Sequence, residues 1–213
     1  KLDGIRCIAD KNGLWTRSGK EITSCPHIWA AVEPYLRDNP HIVFDGELYN
    51  HNLKEDFNKI TSLVRKVKTT EADQQEAAKL VQYHVYDIYD HQQPELTFAD
   101  RDSNLTSAHK VVNDQCVQLV PTQYANTQEA LDQFYGEYLR DGYEGQIVRN
   151  DEPYELKRSK HLLKRKEFIT EEFRVVEVLE GSGNWAGYAK RFVLEMTDGT
   201  QFGSNVRGSQ DQL

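Results

Sequence analysis

Apolar and polar positions alternate from the start of the chain. Gly4-Ile5-Arg6-Cys7-Ile8-Ala9 reads as a half-buried strand, and Leu14-Trp15-Thr16-Arg17 resumes it after the turn signal Lys11-Asn12-Gly13, so the two predict a hairpin. Pro26 is placed to open a helix through about Asp38, which Pro34 should kink or end. His41-Ile42-Val43-Phe44 predicts a short strand ending at Asp45-Gly46-Glu47. Helices with polar outer faces are expected around Lys54 to Val67 and Glu71 to Leu80. Tyr83 to Tyr89, rich in aromatic and β-branched residues, predicts a strand. Helical patterns near Thr106 to Val112 and Thr127 to Leu139, the second broken by Asp141-Gly142, precede a strand at Gln146-Ile147-Val148.

The texture changes near Ile169. From Phe173 the pattern is strand, Gly-rich loop, strand and tight turn, with no helix between them. A boundary at roughly 168–172 divides the chain into a larger α+β domain, residues 1–169, and a small β domain, residues 170–213. The tail is short for an independent core and reaches Gln210-Asp211-Gln212-Leu213 without a closing strand, so the rest of that domain is expected beyond the sequence shown. An upstream segment is expected too, because Lys1 already stands inside a motif.

Composition narrows the class. Apolar residues make up 38% and charged residues 28% of 213, an ordinary soluble balance. No apolar run approaches a membrane span, so no membrane partner is expected. Three scattered cysteines, Cys7, Cys25 and Cys116, fit neither a disulfide framework nor a zinc site, which points to a reducing, cytoplasmic compartment. The net charge of −8 argues against a protein that coats nucleic acid non-specifically, yet leaves room for a local basic groove. The seven histidines show no ligand spacing.

That basic groove has a candidate. Tyr154 to Phe168 holds six Lys or Arg against two Glu. A charge run is usually a solvated face. Here Leu162-Leu163 precede Lys164-Arg165-Lys166, and on a strand Lys164 and Lys166 share one face while Arg165 takes the other. Two ammonium groups on one face suit a phosphate, and they would lower the proton affinity of a third lysine nearby. Lys1, in Lys1-Leu2-Asp3-Gly4-Ile5-Arg6, is the candidate nucleophile; taken alone, that stretch reads equally well as a surface turn. Asp45-Gly46-Glu47 and Tyr143-Glu144-Gly145 set acids beside glycines near short strands, either as turns or as a pair of carboxylates that share a Mg²⁺ and its phosphate oxygens. Tyr86 is either a core aromatic or a stacking platform for a base, and Arg17 is either an exposed hairpin residue or a phosphate clamp.

Taken in order, five stretches resemble the motifs of the lysine nucleotidyltransferase superfamily, and most closely small bacteriophage-type ATP-dependent DNA ligases. They are Lys1-Leu2-Asp3-Gly4-Ile5-Arg6, Phe44-Asp45-Gly46-Glu47-Leu48, Val85-Tyr86-Asp87-Ile88, Glu144-Gly145-Gln146-Ile147-Val148-Arg149 and Leu163-Lys164-Arg165-Lys166. Arg17 with Gly19 fits an additional ligase element. The resemblance implies an ATP-grasp-like nucleotidyltransferase (adenylation) domain of antiparallel sheets with flanking helices, followed by a partial OB-fold β-barrel. It implies a monomer that takes ATP and Mg²⁺ and seals nicked duplex DNA through a lysyl-AMP intermediate. Lys1 would attack the α-phosphate, with Asp3, Arg6, Lys164 and Lys166 in the catalytic set. Arg6 and Glu47 would contact the ribose or position the phosphate, and Tyr86 and Ile147 would hold the adenine between them. Glu47 and Glu144 would support the metal, Lys164 and Lys166 would neutralise the α-phosphate, and Arg17 would hold the 5′-phosphate of the nick. An RNA ligase or an mRNA-capping guanylyltransferase of the same superfamily, and a non-catalytic nick-binding relative, are the alternatives. Capping enzymes usually carry Asp-Gly where this chain has Glu144-Gly145. A hinge between the domains is expected near Glu167 to Glu172.

Overall fold

The computed structural model describes residues 1–54, 56–167 and 170–209, and of residue 57 the main chain alone. The chain divides into two compact units, Lys1–Glu167 and Phe168–Leu213. The first unit is built on a five-stranded sheet in the order β2-β1-β3-β4-β5. Its strands are β1 (Ile5–Asp10), β2 (Gly13–Thr16), β3 (Ile42–Tyr49), β4 (Gln82–Asp90) and β5 (Val117–Leu119). Neighbours run antiparallel except β4 and β5, which are parallel and joined by a helical crossover, the connection that parallel strands require. That crossover is α4 (Phe98–Val112), which follows α1 (Pro26–Asp38), α2 (Phe57–Val64) and α3 (Glu71–Leu80). A separate two-stranded sheet pairs β6 (Gly145–Arg149) with β7 (Leu162–Lys166), and α5 (Gln128–Arg140) leads into it.

One face of the large sheet makes the core. Ile5, Cys7 and Ala9 of β1 are buried alternately with the half-buried Arg6, Ile8 and Asp10. Helix α1 covers that face with Ile28, Val32 and Leu36, a stripe at four-residue spacing. The helix runs through Pro34 without ending. Pro34 and Ala30, whose carbonyl loses its usual partner, are both exposed, so the freed group lies on the solvent side of the helix. Strand β3 does not end at Asp45-Gly46-Glu47 but continues to Tyr49. Helix α4 begins eight residues before the sequence pattern predicts, at a capping box made by Thr97 and Asp100.

The second unit is a three-stranded antiparallel sheet, ordered β10-β9-β8, of β8 (Arg174–Glu180), β9 (Ala189–Glu195) and β10 (Gln201–Asn205). One turn of 3₁₀-helix, Gly183–Trp185, lies in the Gly-rich loop where no helix was expected. Phe173 meets Phe202 edge to face at 5.0 Å, and Lys190 sits 4.1 Å above the Trp185 ring. Residues 168 and 169 of the expected hinge, and the residues 210–213 expected to lack a closing strand, lie outside the described residues.

Candidate active site

The polar face of the large sheet assembles the first half of the site. Register places Arg6 opposite Glu47 and Ile8 opposite Asp45, and side chains directly opposite share a face. Between β3 and β4 the register slips: Asp45 pairs with Asp87, but Gly46 pairs with Val85, leaving Tyr86 as an extra residue on β4. A β-bulge of this kind re-aims side chains. Here it lets Tyr86 and Asp87 both serve the polar face while Val85 and Ile88 stay in the core. Gly46 permits the arrangement through close packing. A Cβ there would lie 2.6 Å from the Tyr83 ring and 2.6 Å from the His84 carbonyl oxygen. The close approach at Gly46 is therefore made by β4 of the same chain.

Two ionic clusters stiffen this face. Arg6 donates to both Asp45 oxygens, at 2.9 and 2.7 Å, and to the Tyr154 hydroxyl at 3.0 Å, while that hydroxyl donates to Asp45 at 2.8 Å. Hydrogen bonding to Asp45 raises the Arg6 guanidinium further above its ordinary range. The second cluster is centred on Asp87, 1% exposed, which accepts from Arg101 Nε at 2.8 Å and Nη2 at 3.2 Å and also from Arg149. Arg149 lies 5.4 Å from the centre of the Tyr86 ring and 4.8 Å from that of Phe98. Tyr86 thus already carries a planar cation against its ring.

The β6–β7 sheet supplies the other half. Gly145 pairs with Lys166, Gln146 with Arg165 and Ile147 with Lys164. Gln146 is buried and bonds the Leu131 carbonyl of α5, while Arg165 bonds Asp132 at 2.6 Å and covers the Tyr135 ring of the same helix. The opposite face carries Ile147, Arg149, Lys164 and Lys166, so Arg165 stands apart from the two lysines, as the alternation of the strand requires. At Gly145 a Cβ would fall 2.2 Å from the Arg165 carbonyl oxygen; its absence lets β7 press close enough for Lys166 to reach Glu144.

Glu144 is the junction. It forms an ion pair with Lys1 Nζ and another, at 3.1 Å, with Lys166 Nζ. Burial pushes the Glu144 carboxyl up, but hydrogen bonds from Lys1 and Lys166 outweigh it and hold the group below its ordinary value. The Lys1 main-chain nitrogen also donates to the Gly145 carbonyl. Glu47 differs. Burial raises its carboxyl to about 7, against the opposing pull of Lys1 and with help from Asp45. The sequence placed Lys166 beside Lys1 as a second cation; in the structure the Glu144 carboxylate bridges the two ammonium groups.

The remaining candidates are less tightly gathered. Asp3 is exposed and borders a cavity of about 340 Å³ with Tyr49, Lys54, Tyr143 and Glu144. Lys164 is exposed on the face it shares with Lys166. Arg17 is exposed in the turn after β2; because Thr16 lies opposite Cys7, that turn sits at the end of the sheet from which Lys1 enters. Among the described residues no three His, Cys, Asp or Glu side chains are grouped to hold a metal. Glu47 and Glu144 both feel the charge of Lys1, and carboxylates, with water and substrate phosphates, are the donor type that Mg²⁺ takes. Sequence reasoning missed Arg101 and Tyr154 altogether and treated Asp45 only as a turn or metal-site acid. Among the described residues no helix is long and apolar enough to cross a membrane.

The family described as ATP dependent DNA ligase domain matches residues 1–166. A DNA ligase of Haemophilus influenzae is 28% identical over 189 residues, covering 87% of this chain; the chain spans 63% of that relative's length. The structure from an analysis of Lig E DNA ligases superposes with a TM-score of 0.81 at 23% identity, covering all of this chain and 77% of that one. The Chlorella virus DNA ligase-adenylate gives 0.61 at 21% identity, with 100% and 78% covered. The bacteriophage T7 ATP-dependent DNA ligase in complex with ATP gives 0.63 at 17%, with 96% and 72% covered. These structural likenesses establish a shared α+β fold, and the sequence match over residues 1–166 establishes kinship: the chain belongs to the ATP dependent DNA ligase domain family.

Proposed function

We propose that the chain is the catalytic part of an ATP-dependent ligase that seals nicks in duplex DNA, acting as a monomer, with residues 1–169 as the adenylation domain and 170–213 as the first part of an OB-fold. The observation that carries this reading is the convergence of Lys1, Glu144 and Lys166 beside the Arg6, Glu47 and Tyr86 face. In the first step the neutral Lys1 amine attacks the α-phosphorus of ATP. A nitrogen–phosphorus bond forms, the bond to the β-phosphate oxygen breaks, and pyrophosphate leaves. Positioning and charge neutralisation dominate such transfers. Lys164 and Lys166 balance the α-phosphate charge, Arg6 and Glu47 orient the ribose, and Tyr86 and Ile147 hold the base. Mg²⁺ held by Glu47 and Glu144 would supply further neutralisation of the phosphates. AMP then passes from Lys1 to the 5′-phosphate of the nick, held by Arg17, and the 3′-hydroxyl displaces it.

The test follows label from α-labelled ATP into protein and then onto DNA. After free ATP is removed, a nicked duplex is added. The reading expects label to leave the protein, appear on the 5′-phosphate of the nick and vanish as sealed strand accumulates. Transfer only to nicked RNA, or labelling by GTP in place of ATP, would reject it in favour of the RNA-ligase or capping branch.

A further inference from the structure

The turn that presents Glu144 is gripped from β3. His51, in the single 3₁₀ turn His51–Leu53 after β3, places Nε2 2.9 Å from the Asp141 carbonyl oxygen. A carbonyl only accepts, so Nε2 carries a proton there. On the other side of the ring, Nδ1 is hydrogen-bonded to the Tyr49 hydroxyl at 2.8 Å. The His51 ring lies against Tyr143, centroids 4.4 Å apart, and Lys54 Nζ reaches the same Asp141 carbonyl at 3.5 Å. Tyr49 stands two residues beyond Glu47 on β3 and so on the same face. The strand that carries Glu47 thus also holds, through Tyr49 and His51, Asp141 and Tyr143 of the turn that leads into Glu144.

We propose that Tyr49 and His51 form a positioning clamp that fixes the 141–144 turn and so sets Glu144 against Lys1 for nucleotidyl transfer. This rests on the reading of Lys1 as the nucleophile. A displacement of about 1 Å at a reacting group costs up to roughly a hundredfold in rate, so a clamp one turn away has leverage on the chemistry. His51 touches no reacting atom; it acts through Glu144.

The experiment measures single-turnover formation of labelled Lys1 with α-labelled ATP, beside thermal melting and hydrogen exchange of the unliganded chain. His51→Ala is expected to slow labelling about tenfold, with the half-saturating ATP concentration within about twofold of wild type. His51→Gln, whose amide reaches as Nε2 does, restores most of the rate. In a Glu144→Gln background His51→Ala produces no further loss, because the residue it positions is already disabled. Amides of 141–145 exchange faster in His51→Ala, while those of β1 and β4 do not. Wild-type labelling in His51→Ala, or the same tenfold loss in the Glu144→Gln background, overturns the proposal. If the wild-type chain takes no label, the nucleophile reading fails. The exchange of 141–145 then decides the clamp alone, and unchanged protection in His51→Ala refutes it.

Discussion

Removing the Asp87 carboxylate is the sharpest test of how the polar face of the large sheet is held. Asp87 and Arg101 expose 1% and 5% of their side chains, and Asp87 also accepts from Arg149 and from the Ile88 amide. Asp87→Leu leaves the buried Arg101 guanidinium with the Leu96 and Glu152 carbonyls but no counter-charge, a loss of about 3–5 kcal/mol. Domains of this size have a total stability of only about 5–15 kcal/mol, so the variant gives up a large share of it. Arg101→Met leaves Asp87 with Arg149 and the Ile88 amide and costs less. The double variant Asp87→Leu/Arg101→Met removes the two most deeply buried charges together and leaves only Arg149 without its carboxylate, so it falls short of the sum of the singles by about 2–3 kcal/mol. The assay is urea unfolding followed by circular dichroism, with the slope unchanged across the set and only the midpoint moving. Additive losses in the double variant would refute the account, because they would mean that the two side chains do not depend on each other.

Other outcomes follow from the same geometry. Gly46→Ala forces a Cβ to within 2.6 Å of the Tyr83 ring and should destabilise by about 1–3 kcal/mol in the same assay; a neutral result would contradict the close packing at the bulge. His84 has its proton affinity lowered from 6.5 to about 4, first by burial and then by His51. Its stabilising contribution is complete above pH 6.5 and is lost as pH falls towards 4. Between pH 7 and pH 5 the stability difference between wild type and His84→Gln should therefore move by about 2 kcal/mol in favour of the variant; a difference that does not change with pH would sink this. Arg17→Ala should leave Lys1 labelling intact while lowering by about one unit the salt dependence of binding to a nicked duplex; an unchanged slope would remove Arg17 from phosphate contact.

The motif residues were legible because chemistry restricts their types: a lysine, paired acids beside glycines, and alternating lysines on a strand. The elements around them were legible where periodicity was clean, as in β1 with its alternate Ile5, Cys7 and Ala9, and in α1 with Ile28, Val32 and Leu36. The first half of α4 was not. Its buried stripe is Phe98, Arg101, Leu105 and Ala108, and the charged Arg101 in the second place breaks the apolar signal that marks a helix. The same substitution hides its part in the site, since only the fold brings Asp87 beneath it. The bulge at Tyr86 was hidden for a related reason, because an extra residue in a strand disturbs pairing with β3 without altering local composition. The salt bridge between Lys1 and Glu144 joins positions at opposite ends of the first unit, and no local pattern records it.

The central claim is that Lys1 carries the AMP. The most direct measurement is peptide-resolved mass spectrometry of the chain after incubation with ATP and Mg²⁺, with Lys1→Ala alongside. The account predicts one acid-labile AMP adduct, on the Lys1 side chain, absent from the variant. An adduct on another lysine, or one that persists in Lys1→Ala, would contradict it.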